Sequence, residues 1–254
     1  INTNTLSTFG MAAQNFGTAI GGGYKKGIYG GYTRYENSML YVTPTYNGFS
    51  ARYQNGAGNG SQYALASTTV ILRRPTINEL GLNYVQGPLS ASYSSLRVTG
   101  ASSEAASATT TLATADVKTT IDTLAAAYDF GVAKVAFGMQ NTKDTSTTAL
   151  KQSAQNLSVT APYGNFLFLA NVGSLKHEAG YYGTVTTNAG KKNTITGLGV
   201  HYNLSKNSYI YLLNETQKMD AYDMASAIIN GATGSNTTSD RKRNLTAIGI
   251  SSAF

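Results

Sequence analysis

Segments of about ten residues in which apolar and polar side chains alternate recur to the end of the chain, and a period of two is the signature of a strand wetted on one face only. About eleven such segments are read: Asn37–Thr45, Gly48–Gln54, Asn78–Val85, Leu89–Leu96, Thr120–Phe130, Ala133–Asn141, Ala154–Ala161, Phe166–Gly173, Thr194–Leu204, Ser208–Thr216 and Arg243–Phe254. Strands of this length cross a bilayer when tilted by ~45°. The repetition, more than any single segment, makes the chain all-β.

The connections alternate in length. Short ones read Pro44-Thr45-Tyr46-Asn47-Gly48, Gln86-Gly87-Pro88, Phe130-Gly131-Val132, Pro162-Tyr163-Gly164-Asn165 and Ser205-Lys206-Asn207. Each holds Gly or Asn for positive φ, or Pro for a fixed φ. Between them lie long polar stretches at 55–77, 97–119, 142–153, 174–193 and 217–242. A soluble sandwich has no reason to alternate so regularly. A transmembrane antiparallel up-and-down β-barrel does, with tight turns at one rim and long loops at the other.

Side-chain facing agrees. Met39, Tyr41 and Thr43 oppose Ser38, Leu40 and Val42; Phe49, Ala51 and Tyr53 oppose Ser50, Arg52 and Gln54. Val135, Phe137 and Met139 oppose Lys134, Ala136, Gly138 and Gln140, and Leu198, Val200 and Tyr202 oppose Gly197, Gly199, His201 and Asn203. Apolar faces end in an aromatic residue beside a short turn, at Tyr84, Tyr128, Phe130 and Tyr202, as an interfacial girdle would. Opposite faces are rich in small residues, as a water-filled lumen requires. Phe166–Ala170 and Tyr209–Leu213 are apolar on both faces, which leaves a covering loop or a partner subunit as alternatives for their inner sides.

Composition narrows the function. Charged residues are 12% and hydrophobic ones 41%, with 27 Gly and 18 Tyr, a balance foreign to disordered chains and to helical enzymes. With no Cys, thiol catalysis, thiolate metal sites and disulfides are excluded. His177 and His201 stand apart with no carboxylate-rich motif, so no metal and no cofactor is expected. Gly21-Gly22-Gly23 before Lys25-Lys26, and Gly190-Lys191-Lys192, lack the Gly-Lys-Ser/Thr ending of a phosphate loop and read as flexible loops. No Gly-x-Ser-x-Gly elbow occurs, and no enzymatic activity is expected. No run approaches 18 apolar residues, so no transmembrane helix is expected; no signal peptide is visible at Ile1, which for an exported protein implies a processed or truncated chain. The Ala101–Asp116 stretch suits a short helix or, better, an external loop. The net charge of +7 reads as solubility or as attraction of anions.

Several stretches resemble the general porins of Gram-negative outer membranes, especially the β-proteobacterial type. They are Arg34-Tyr-Glu-Asn-Ser-Met-Leu-Tyr-Val-Thr-Pro-Thr-Tyr-Asn-Gly-Phe49, Gly87-Pro-Leu-Ser-Ala-Ser-Tyr93, Ala127-Tyr-Asp-Phe-Gly-Val-Ala-Lys-Val135, Leu198-Gly-Val-His-Tyr-Asn-Leu-Ser-Lys206 and the closing Ile248-Gly-Ile-Ser-Ser-Ala-Phe254. The resemblance spans 34–254 and implies a sixteen-stranded barrel, normally a homotrimer, with one inward-folded loop narrowing each pore. It departs from the pattern at Ser251 and Ala253, where the family often carries lumen-facing basic residues, and at Leu40 and Val42, which stand at polar lumen positions. Counted back from Phe254, Asn37–Thr45 falls as the sixth strand. Residues 1–33 then form the constriction loop, with a helical turn at Ser7–Asn15, residues 34–254 form the rest of one barrel domain, and about five strands are expected before them.

On this reading the pore-lining residues are Arg34, Glu36, Arg52 and Lys134, with Lys25 and Lys26 in the constriction loop. Cations in a narrow aqueous pore raise the local concentration of anions, and Glu36 holds Arg34 or tunes its field. The bland alternative for each is solvated charge in a wide lumen. Arg73-Arg74, Lys191-Lys192 and Arg241-Lys242-Arg243, in or at the edge of long loops, read as clusters that meet membrane lipid and anionic lipopolysaccharide rather than nucleic acid. The expected function is passive diffusion of small hydrophilic, preferentially anionic, solutes through an outer-membrane porin. Its rivals are an occluded barrel whose loops bind a partner or lipid, an outer-membrane hydrolase using His201, and a soluble carbohydrate-binding sandwich.

Overall fold

A computed structural model describes residues 37–57, 76–101, 116–145, 151–179, 190, 192–219 and 241–252. Eleven strands follow one another: β1 (Ser38–Val42), β2 (Phe49–Ala57), β3 (Thr76–Gln86), β4 (Leu89–Ala101), β5 (Asp116–Asp129), β6 (Lys134–Asp144), β7 (Lys151–Tyr163), β8 (Phe166–Ala179), β9 (Lys192–Asn203), β10 (Ser208–Met219) and β11 (Arg241–Ser252). Each pairs antiparallel with the next, in the order β1 to β11, giving one meander. Among the described residues β1 pairs with β2 alone and β11 with β10 alone.

All eleven expected strands are present, with corrected limits. Strand β1 stops at Val42 and not Thr45, because Pro44 has no N–H for the ladder. The chain stays tethered there through Thr43 N to Ala51 O at 2.9 Å and Ala51 N to Thr43 Oγ1 at 2.9 Å. The two-residue turn that follows, Asn47-Gly48, has φ of 47° and 83°, the type I′ conformation that matches strand twist. At the other end most strands run further than the alternation suggested. Strand β4 reaches Ala101, β5 begins at Asp116, β8 reaches Ala179 and β9 begins at Lys192. Residues read there as loop are polar because they leave the apolar zone, yet their backbone groups still need ladder partners. Lys192, Arg241 and Lys242, expected in loops, therefore sit on strands, as do the ends of the Ala101–Asp116 stretch, whose residues 102–115 lie outside the described residues.

Burial is inverted relative to a water-soluble protein. One face carries the buried side chains, many of them polar: Glu79, Ser92, Ser94, Thr123, Gln140, Asn156, Ser158 and Asn171. The other exposes Leu80, Leu124, Phe137, Leu157, Leu198 and Ile210, and Ile248 is 83% exposed. In a single sheet one face becomes buried when the sheet curls and that face turns upon itself. The inner face thus holds the polar groups, beside an apolar cluster of Ile77, Leu96, Val98 and Ile121, while the outer face is apolar along the middle of the strands. On the outer face, rings meet above the short turns as expected, Phe49 with Tyr84 at 4.4 Å, Tyr128 with Phe130 at 4.6 Å and Phe166 with Tyr202 at 5.0 Å.

The doubly apolar strands have a local explanation. Leu169 and Leu213 are buried together on the inner face, with Leu167 and Tyr211 against them. Register sets Gly199 between Leu169 and Leu213, and Gly249 beside Tyr211. A Cβ at Gly199 would strike the Leu213 side chain, and one at Gly249 the Tyr211 ring. These inner apolar groups cover one another over glycine gaps; neither a loop nor a second subunit is needed to explain them.

Candidate functional site

Antiparallel register turns the inner face into rows that run across the strands. One row reads Val42, Arg52, Gly81, Ser94, Thr123, Gln140 and Ala154. Arg52 stands on the inner face, as expected. Its stem lies across Gly81, where a Cβ would come within 2.7 Å of Arg52 Cγ, so the glycine makes room for the side chain to lie along the wall. Beyond it Ser94 Oγ donates to Glu79 Oε1 at 2.6 Å, and Gln140 Nε2 donates to Thr123 Oγ1 at 3.0 Å. The expected break at Leu40 and Val42 is real: they pair with Gln54 and Arg52 and share their face.

Lys134 is also on the inner face, but at the short-turn rim, with Thr160 opposite on β7 and Asp129 opposite on β5. Asp129 Oδ1 in turn accepts Gly131 N at 2.8 Å, which anchors the turn. Arg34, Glu36, Lys25 and Lys26, together with the whole expected constriction loop, lie outside the described residues, as do Arg73, Arg74 and Lys191.

Two carboxylates missed in the sequence share this face. Glu79 is 3% exposed and Glu215 1% exposed, the latter opposite Gly197. Counting parity from Gly81 and Leu213 would have found both. The inner face therefore carries Arg52 and Lys134 against Glu79, Asp129 and Glu215, and register adds Arg241 and Arg243 of β11 and Asp144 of β6 at positions of the same face. Its charges are near balance, whereas the chain carries +7.

Polar groups without a protein hydrogen bond are frequent here. Ser92 Oγ, Ser158 Oγ, Asn171 Oδ1 and both amide atoms of Asn156 are buried and find no partner among the described residues. A dry interior would leave each at a cost of about 1–3 kcal/mol. Water admitted between the side chains of a channel wall would satisfy them.

His201 is buried among aromatic and aliphatic groups. Its ring stacks on Tyr209 at 4.4 Å and 10°, and its cross-strand partners are Leu167 and Tyr211. Among the described residues no carboxylate stands opposite it or diagonal to it, so the arrangement offers no orienting group for a catalytic base. No three His, Asp or Glu side chains converge as a metal site among the described residues.

A polar concave wall, an apolar convex face and rim aromatics define a β-barrel protein of the outer-membrane type. Residues 2–221 match the model of a family described as Gram-negative porin, and the chain belongs to that family, whose members are channels of the Gram-negative outer membrane. Among solved structures it is similar to in-vitro folded OmpT, an outer membrane protein of Vibrio cholerae, with TM-score 0.56 and 18% identity over 85% of this chain and 63% of that one. A loop L8 deletion mutant of OmpT gives TM-score 0.54 and 16% identity over 85% and 62%. A trimer form of OmpT gives 0.55 and 16% over 85% and 63%. At such identities the likeness concerns the fold. The chain spans just under two thirds of the length of these structures. A search of curated proteins gave no match.

Proposed function

We propose that the protein forms a water-filled channel through which small hydrophilic solutes diffuse passively across the outer membrane. The inverted burial carries this reading: polar groups lacking protein partners line the inner face, and apolar groups cover the outer one. Among the described residues nothing on the inner face brings a nucleophile, base and orienter together, which favours a conduit over a hydrolase. The exposed apolar outer face speaks against a soluble sandwich.

Selectivity is the finer part of the proposal. The expected anion preference rests on Arg52 and Lys134 and on Arg34, Lys25 and Lys26, joined by Arg241 and Arg243 and opposed by Glu36, Glu79, Asp129, Asp144 and Glu215. With near balance on the described wall, the proposed preference for anions is weak and depends on the N-terminal cations. A homotrimer is proposed by likeness to the trimer form of OmpT.

Reconstitution in planar bilayers tests the channel. Stepwise conductance is expected, and its absence, with liposomes impermeable to small sugars, would overturn the reading in favour of an occluded barrel. The reversal potential in a salt gradient reads selectivity, and Arg52→Glu should move it towards cations.

A further inference from the structure

Register puts the phenylalanines and tyrosines of the described strands at outer positions, with two exceptions. Tyr209 and Tyr211 of β10 stand on the inner face, at the end of the strand beside the short connection 205–207. Both are half-buried, so each keeps part of its ring open to the lumen.

Packing fixes how the two rings stand. Tyr209 stacks on the buried imidazole of His201, with centroids 4.4 Å and planes 10° apart, and Tyr211 tilts against the same imidazole at 6.1 Å. The ladder partner of Tyr211 on β11 is Gly249. A Cβ there would strike the hydroxyl end of the Tyr211 ring, so the ring lies over bare backbone and is held down on the wall. Glycine at 249 thus gives a bulky aromatic group a fixed place in a face otherwise made of small and polar residues.

The surroundings are uncharged. Asn203 and Ser251 flank Tyr209 across the ladder, and Leu167 flanks His201. Among the described residues the closest carboxylate on this face is Glu215, four residues further along β10 and 1% exposed. A charged solute resting on the two rings would give up hydration with no opposite charge to replace it. A neutral solute escapes that cost.

We propose that Tyr209 and Tyr211 form a binding site for a neutral sugar ring at the mouth on the short-turn side. Aromatic faces carry the negative part of the ring quadrupole, which suits the C–H groups of a pyranose. The hydroxyls of Tyr209, Tyr211 and Ser251 and the amide of Asn203 both donate and accept hydrogen bonds, as sugar hydroxyls do. The site rests on the reading of the protein as a water-filled channel and names a class of solute that dwells in it.

Maltotriose is the probe, with mannitol, which has hydroxyls but no ring, as its control at equal viscosity. In planar bilayers maltotriose should interrupt the single-channel current in a saturable way, while mannitol should lower it only as bulk conductivity falls. Tyr211→Ala should weaken the block about fivefold, the loss expected for one stacking contact. Tyr211→Phe keeps the ring and should weaken it less, and Tyr163→Ala, at an outer position, should leave it unchanged. Saturation-transfer NMR of maltotriose with the protein in detergent should rank the variants in the same order. Equal responses to maltotriose and mannitol, an undiminished block in Tyr211→Ala, or a stronger block by tetramethylammonium than by maltotriose would overturn the proposal. If the protein carries no current yet binds maltotriose through Tyr211, the channel reading falls and the site stands; current without sugar binding has the reverse meaning.

Discussion

Gly199 shows how single residues decide what the inner face can hold. It lies between Leu169 and Leu213, and any side chain there meets the Leu213 methyls. Gly199→Ala should lower unfolding stability in lipid or detergent by about 1–3 kcal/mol, as overpacking does. Adding Leu213→Ala should recover much of that loss, a coupling that a denaturant double-mutant cycle would read. Facing was legible in the sequence at this scale for Arg52, Lys134 and His201, because alternation fixes it. Glu79 and Glu215 are masked in the sequence by the net positive charge, although the same parity places them. The strand positions of Lys118, Lys143, Lys151 and Lys176 were illegible because these residues fall in polar runs that resemble loops until the backbone ladder is seen to continue through them.

Strands and turns form the next scale, and here the short turns set the register. Asn47-Gly48 needs positive φ at both positions, and Tyr46 and Phe49 exchange two hydrogen bonds across it, at 2.8 and 2.9 Å. A Cβ at Gly48 would also come within 2.8 Å of Val85 O. Gly48→Val should destabilise the protein by about 1–3 kcal/mol through backbone strain, more than Gly131→Val, since a Cβ at Gly131 meets nothing within 4 Å. Chemical denaturation of the two variants side by side would check the order. Strand number and sequence were legible because the dyad pattern repeats; strand length at the long-loop side was not, because hydrogen bonding of the backbone is blind to side-chain polarity.

For the whole molecule, the inversion of inside and outside makes opposite demands on the two faces. Leu198→Arg places a charge in the outer apolar zone and should cost about 2–4 kcal/mol in a bilayer. Asn156→Arg, on the inner face, should cost much less and should shift the reversal potential towards anions. Paired unfolding and conductance measurements separate the two. If both substitutions cost the same, the faces have been assigned wrongly. Family membership and architecture were legible from rhythm and resemblance together. The balance of charge on the wall was not, since it depends on which of two opposite faces each ionised group occupies.

Tight hairpins at one rim set the register of the strands they join, while the connections at the other rim are longer. The two ends of the molecule are consequently free to change at different rates. Sequence at the exposed rim can turn over under pressure from antibodies or bacteriophages without disturbing conduction, whereas the rim with the hairpins tolerates few insertions. Foreign peptides grafted between β4 and β5 should therefore be displayed at the cell surface by a wall that remains unaltered.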